Sequence, residues 1–254
     1  MRQQVIFNFK RDISEIEVPV TLNNPFGGDF PEIARIAASE FQQFIGADSE
    51  DWDYDFKTQK GKMFGVLVIQ KADKTLGYIG AISGKLPSNA TANRFVPSIF
   101  DDATDDFFIN KGMKELKEIG SKINSSNNQR EISRLTERRK QKSFALQQRL
   151  FENYRFLNLL GKEKNALQIF LDFWQGNPPS AAGECAAPKL LQFAFKQELK
   201  PVAMAEFWWG NPRKSTERKH LSFYPACKNK CRPILEFMLN DNELFNKIGN
   251  DIVV

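Results

Sequence analysis

The residues best suited to chemistry lie close together near the end of the 254-residue sequence. The three cysteines and the only histidine all fall within residues 183–235, at Cys185, His220, Cys227 and Cys231. Thiolate sulfur and imidazole nitrogen are preferred zinc ligands, and four of them close a structural zinc site. Cys227 and Cys231 are four residues apart, which places both on one face of a helix. The four residues predict a zinc site; the alternative is a packed segment with incidental thiols.

An open zinc site, with three protein ligands and a water, is the second chemistry that these residues allow. A cysteine at the start of a helix, then a strand, then Pro-x-Cys near another helix resembles the layout of zinc deaminases. Those enzymes have a His or Cys ligand with Glu two residues later, followed by P-C-x-x-C. Here Ala187 stands two residues after Cys185, and the second pair is spaced C-x-x-x-C. Glu184 or Glu206 would have to supply the missing carboxylate.

Two segments have the composition of an RNA-binding surface. Aromatic rings stack on unpaired bases, and cations attract phosphate. The candidates are Trp208, Trp209, Arg213, Lys214, Arg218, Lys219, Lys228 and Lys230 in one segment, and Arg138, Arg139, Lys140 and Lys142 in the other. The alternatives are that the tryptophans belong to the core and that the charged helix is a solvated arm.

Composition indicates a globular protein with a substantial core. The chain is 41% hydrophobic, contains 23 Phe and carries a net charge of +5. Three cysteines in a chain of this length do not form a disulfide framework, so we expect a reducing, cytoplasmic compartment. No segment approaches the ~20 apolar residues needed to cross a bilayer. With a single histidine, no Ser–His–Asp triad can be built.

The pattern of apolar residues predicts an α+β fold with three parts. Strands at 62–69 and 76–84 form a β-hairpin in a mixed domain over 1–105. A helical arm occupies 106–160, with a long helix from 129 to 160. A small α/β domain at 161–254 holds the cysteines, with a helix beginning just after Cys185 and a strand over 200–209.

Several segments also carry a recognisable pattern, namely GKMFGVLV (61–68), LGYIGAISGKL (76–86), GECAAPKLL (183–191), MAEFWWG (204–210) and FYPACKNKC (223–231). Together they resemble the N-terminal region of long bacterial ribosomal RNA pseudouridine synthases of the RluA family, over most of the chain. The resemblance implies that ribosomal RNA and a C-terminal synthase domain are partners. The His-Arg-Leu-Asp motif that carries the isomerase activity of that family is absent here.

Three functions follow from these observations. The leading hypothesis is an accessory region that contacts RNA for a pseudouridine synthase, with any zinc being structural. The second is a zinc-dependent, deaminase-like hydrolase, which requires a carboxylate beside the cysteines. The third is a protein-interaction module built on the long helix.

Overall fold

The computed structural model describes residues 5–56, 58–100, 108–212 and 218–239. In chain order its elements are α1 (Glu32–Asp48), β1 (Lys62–Gln70), β2 (Leu76–Ile82), α2 (Phe108–Ser125), α3 (Gln129–Asn153), β3 (Arg155–Leu157), β4 (Glu163–Asn165), α4 (Ala166–Trp174), α5 (Ala186–Lys196), β5 (Lys200–Trp209) and α6 (Lys228–Leu239). The predicted α+β class, the hairpin and the strand over 200–209 are confirmed.

A three-stranded antiparallel sheet in the order β2-β1-β5 forms the centre of the fold. In the central strand, Phe64 lies opposite Ile82 on one side and opposite Phe207 on the other. The sequence predicted separate domains at 1–105 and 161–254, but the structure joins both segments in this one sheet. The reason is that β1 is apolar on both faces and needs a hydrogen-bonding partner along both edges.

Helices cover the two faces of the sheet. Phe64, Val66 and Val68 pack with α1, whereas Leu67 and Ile69 pack with α5, so side chains alternate between two hydrophobic clusters. Two glycines permit this close packing. A Cβ on Gly80 would lie 2.1 Å from the ring of Phe41, and one on Gly65 would lie 3.0 Å from Ala186. The site described below lies on the α5 side, where α6 also packs against α5.

A helical hairpin, α2 with α3, forms the predicted arm between β2 and α5. The side chain of Asn128 caps α3, accepting hydrogen bonds from the backbone N–H groups of Arg130 and Glu131. The long helix ends at Asn153 rather than at 160, so its predicted length was wrong. Phe156 is fully buried in β3, which pairs with β4, and this packing favours a strand over another helical turn.

The segment that follows β2 and the segment that precedes α5 meet beside the sheet. The backbone N–H of Gly84, just after β2, donates to the carbonyl of Glu184 at 2.8 Å, just before α5. Among the residues that the structure describes, no helix is long and apolar enough to cross a membrane.

Candidate functional site

The three thiols come together where two helices begin. Cys185 immediately precedes α5, Cys227 immediately precedes α6, and Cys231 lies in the first turn of α6. All three are free, and the thiols of Cys227 and Cys231 are the neighbours that act most strongly on the pKa of Cys185. The backbone N–H of Cys231 donates to the carbonyl of Cys227 at 3.3 Å, which fixes the spacing of that pair. The C-x-x-x-C segment thus folds back on the start of α5.

The thiols lie together as a cluster. The neighbouring thiol of Cys227 lowers the pKa of Cys185, but the thiol of Cys231 and burial raise it, and the net direction is upward. The neighbouring thiol of Cys185 and burial raise the pKa of Cys227. In the described part of the chain, no group of three or more His, Cys, Asp or Glu side chains is placed so that it could hold a metal ion. Zinc binding would therefore have to displace protons and draw the sulfurs into ligand geometry.

His220, predicted as a fourth ligand, lies in a different setting. Its Nδ1 accepts a hydrogen bond from the backbone N–H of Gly210 at 3.0 Å. Its ring packs edge-on against Trp209, with centroids 4.7 Å apart. It lines a cavity with Glu50 and Asp55, whereas Cys185 and Cys227 line another. The structure does not bring His220 to the thiols, so the closed four-ligand site predicted from sequence is not formed.

Glu206 is a buried carboxylate beside the thiol cluster. It projects from β5 with 5% of its surface exposed, and its Oε1 accepts a hydrogen bond from the N–H of Ala187 at 3.1 Å. Burial raises its pKa to about 7, although the Ala187 N–H and the charge of Arg218 act in the opposite direction. Its charge acts on the thiols of Cys185 and Cys227. A carboxyl of this kind can both accept and release a proton near neutral pH.

Glu184, the other carboxylate considered from sequence, is held by strong partners. Lys189, only 3% exposed, approaches Glu184 Oε2 at 3.3 Å, and the hydroxyl of Tyr154 donates to Glu184 Oε1. Lys189 Nζ also donates to the carbonyls of Gly84, at 2.7 Å, and Ile82, at 3.2 Å. Burial lowers the pKa of Lys189. Lys189 thus fixes the end of β2 to the start of α5, and Glu206 is the freer of the two carboxylates.

A cavity of about 410 Å³ opens onto the thiols and both carboxylates. Acidic and thiol groups, from Glu184, Cys185, Glu206 and Cys227, form part of its lining, while Cys231 is fully buried behind them. The basic residues of its wall are Lys60, Lys62, Arg218 and Lys230. A space of this size accommodates a small organic molecule.

The aromatic and basic residues predicted to contact RNA have different surroundings. Trp208 is 1% exposed and its Nε1 donates to the Asn211 carbonyl, which favours the alternative that it belongs to the core. Arg218 lies over the rings of Trp208 and Tyr224, 5.3 and 5.4 Å from their centroids. Trp209 is half-buried, and Lys219, Lys228 and Lys230 are exposed. Arg213 and Lys214 lie outside the described residues.

On the arm, Arg138, Arg139 and Lys140 are exposed on α3, whereas Lys142 forms an ion pair with Glu115 of α2. These residues are far from the thiols in sequence, and Arg139 and Lys140 line a separate groove between the two helices. The arm and the thiol cavity are thus two distinct candidate sites.

Lys189 is a site residue that was not predicted from the sequence, although a lysine inside the apolar run Ala186–Leu191 was a usable signal.

Comparison of the chain with protein-family models, curated proteins and solved structures found no match.

Proposed function

We propose that this chain carries an open, hydrolytic zinc site of the deaminase kind. Cys185, Cys227 and Cys231 would hold the metal, and Glu206 would transfer protons. The observation that supports this most is the hydrogen bond from the Ala187 N–H to Glu206. Ala187 is two residues after the first cysteine, the position where zinc deaminases carry their glutamate. A carboxylate from the neighbouring strand reaches the same turn of helix.

The surroundings of the thiols favour thiolate once a cation is present. Both ligand segments lie at helix N-termini, where the partial positive charge of unsatisfied N–H groups stabilises anions. Cys185, Cys227 and Cys231 would hold the zinc, and the zinc would supply a water activated for attack near neutral pH. His220 accepts a hydrogen bond from Gly210 and lines a different cavity, so it would not be among the ligands.

The reaction that fits is hydrolysis of an amino group attached to a C=N carbon of a heterocycle. Oxygen from water bonds to that carbon, the C–N bond to the amino group breaks, and ammonia leaves, so that a carbonyl replaces the amine. Of the two protons of the water, one ends on the ring nitrogen of the C=N bond and the other on the departing amine. Glu206 takes up a proton released by the water and delivers it to the departing nitrogen. Burial of this carboxyl keeps bulk water from competing for the proton.

Elemental analysis of the purified protein tests the metal, and ammonia release from cytidine and adenosine tests the reaction. We expect one zinc per chain, lost in Cys227→Ala and retained in Glu206→Gln, and ammonia release that Glu206→Gln abolishes. A folded, zinc-free protein that takes up no zinc when it is supplied would refute the site. Zinc that is bound equally well by Cys227→Ala would refute the ligand assignment.

We also propose, as a second function, that the arm contacts RNA. The observation that favours it is the distribution of charge. Residues 108–153 contain eleven Lys and Arg against five Glu, a net charge of +6, whereas the whole chain carries +5. This role agrees with the resemblance to the N-terminal extension of pseudouridine synthases.

Titration of the protein with a structured ribosomal RNA fragment at several salt concentrations tests this role. We expect affinity to fall steeply as salt rises, because phosphate contacts release counterions. Replacing Arg138, Arg139 and Lys140 by Gln should weaken binding. It should also reduce the slope of log affinity against log salt concentration by an amount that corresponds to about three phosphate contacts. The matched control changes three lysines outside the arm, Lys71, Lys74 and Lys200. Equal effects of the two triple variants would contradict the proposal.

A further inference from the structure

Cations from three segments line the thiol cavity. Lys62 begins β1 and Lys60 lies two residues before it, Arg218 precedes Phe223, and Lys230 lies in the first turn of α6. The only carboxylates among the residues that line this cavity in the described chain are Glu184 and Glu206. Glu184 is already neutralised by Lys189. The wall of the cavity therefore carries an excess of positive charge.

Three of these cations are held by neutral groups. Lys62 Nζ donates to the carbonyl of Lys85 at 2.9 Å and lies 4.8 Å from the centroid of the Tyr54 ring. Lys230 Nζ donates to the Ser180 carbonyl at 3.0 Å. Arg218 lies over two aromatic rings. In the described part of the chain, none of the three forms an ion pair with a carboxylate. Arg218 interacts electrostatically with Glu206 and Lys62 with Asp53, so these carboxylates offset part of the positive charge. The wall still carries four basic residues against two carboxylates, one of which is paired with Lys189.

The electrostatics of Lys62 point the same way. Burial, and then the charge of Lys189, lower the pKa of Lys62, whereas the charge of Asp53 acts in the opposite direction. The net direction is downward, so a further anion beside this half-buried ammonium would stabilise its charged form. Guanidinium and ammonium groups around a small cavity are typical of sites for phosphate.

We infer that the substrate of the thiol cavity carries a phosphate group beside the heterocycle that loses its amine. This rests on the proposed hydrolytic function and adds its substrate class. The cavity volume suits one nucleotide-sized unit, with the heterocycle at the thiols and the phosphate at the basic wall. The phosphate can be the monoester of a free nucleotide or the diester of an unpaired nucleic-acid strand.

The test compares three kinds of compound with the zinc-containing protein: cytidine and adenosine, their 5′-monophosphates, and short single-stranded RNA of mixed sequence. Binding is measured by calorimetry and turnover by ammonia release. We expect the phosphorylated compounds to bind at least tenfold more tightly than the nucleosides, with inorganic phosphate competing. Preference for the monophosphates identifies the monoester, and preference for the RNA identifies the diester.

Lys62→Gln and Arg218→Gln should reduce kcat/KM at least tenfold more for phosphorylated compounds than for nucleosides. Lys200→Gln, at the opposite end of β5, removes the same charge and should leave that ratio unchanged. Equal binding of nucleosides and phosphorylated compounds, or no binding of either, would overturn the inference. If zinc is bound and the nucleosides are hydrolysed without any advantage from phosphate, the substrate class fails while the hydrolytic function stands. If phosphorylated compounds bind competitively with phosphate but release no ammonia, the hydrolytic function fails instead.

Discussion

The carboxylate of Glu206 and the backbone of Ala187 meet across the boundary between β5 and α5, joined by an N–H···O hydrogen bond of 3.1 Å. Gly65, opposite Glu206 in the sheet, leaves room for this contact, since a Cβ there would lie 3.3 Å from Glu206 Cγ. A residue of β5 thereby supplies a carboxyl to the first turn of a helix that has none of its own at this position.

Glu206→Gln should lower the rate of ammonia release by a factor of about 10² to 10⁴, the usual contribution of a proton-transferring group. The amide oxygen can still accept from Ala187, so thermal stability and zinc content should stay close to those of the unchanged protein. Activity assays, calorimetry and elemental analysis measure the three quantities. Loss of zinc together with activity would show that Glu206 is structural or a ligand and not a proton carrier.

Removal of zinc should lower the melting temperature. A ligand that binds only the folded state at a hundred times its Kd stabilises that state by about 2.7 kcal/mol. We expect a strong chelator to lower Tm in the unchanged protein and to have no effect on Cys185→Ala. Scanning calorimetry with and without chelator measures this difference. A chelator effect that persists in Cys185→Ala would place the metal elsewhere.

Lys189→Met should destabilise the fold by about 3 kcal/mol. It removes the charge that neutralises the partly buried Glu184 and the donor that serves the carbonyls of Ile82 and Gly84. Lys164→Met is the matched control, because Lys164 pairs with Asp172 on the surface and should matter by less than about 1 kcal/mol. Urea denaturation measures the free energy of unfolding of both variants. Similar losses of stability would argue against a structural role for the buried contacts of Lys189.

Gly80→Ala should destabilise the protein by about 2 kcal/mol, since the new methyl group meets the Phe41 ring at 2.1 Å and the packed core must shift. Gly28→Ala provides the comparison, because no atom lies within 4 Å of a Cβ at that position. It should be neutral or slightly stabilising. The denaturation midpoints of the two variants measure this difference in stability. If Gly80→Ala does not lower the midpoint, α1 packs less closely on the sheet than the structure indicates.

Local patterns in the sequence were sufficient to predict much of the framework. The hairpin could be predicted because apolar runs flank a polar turn at 71–74, and β5 and the start of α5 could be predicted for similar reasons. The end of α3 could not be predicted, because burial of Phe156 outweighs local helical preference. The pairing of β1 with β5 could not be predicted either, since partners about 140 residues apart leave no local signal in the sequence.

For the site, the sequence could show that cysteines are concentrated near one another but not which groups join them. His220 and Cys227 are close in sequence, yet the backbone turns so that His220 faces Trp209. Which of Glu184 and Glu206 is available as a proton carrier depends on the position of Lys189, because Lys189 forms an ion pair with Glu184. Such choices depend on tertiary packing and so could not be made from spacing alone.

The hydrogen bond between Gly84 and Glu184 also bears on the order of folding. It closes a loop of about a hundred residues, and this closure lowers the entropy of the chain. The contacts made by residues after Glu184 can compensate for that loss only once the loop has closed. We expect the hairpin and the arm, which are local structures, to form early. Cys185, β5 and α6 all lie beyond the closure, so we expect the thiols and Glu206 to come together late. The proposed zinc would then meet a nearly complete core, and its binding would stabilise that final assembly rather than guide the first steps.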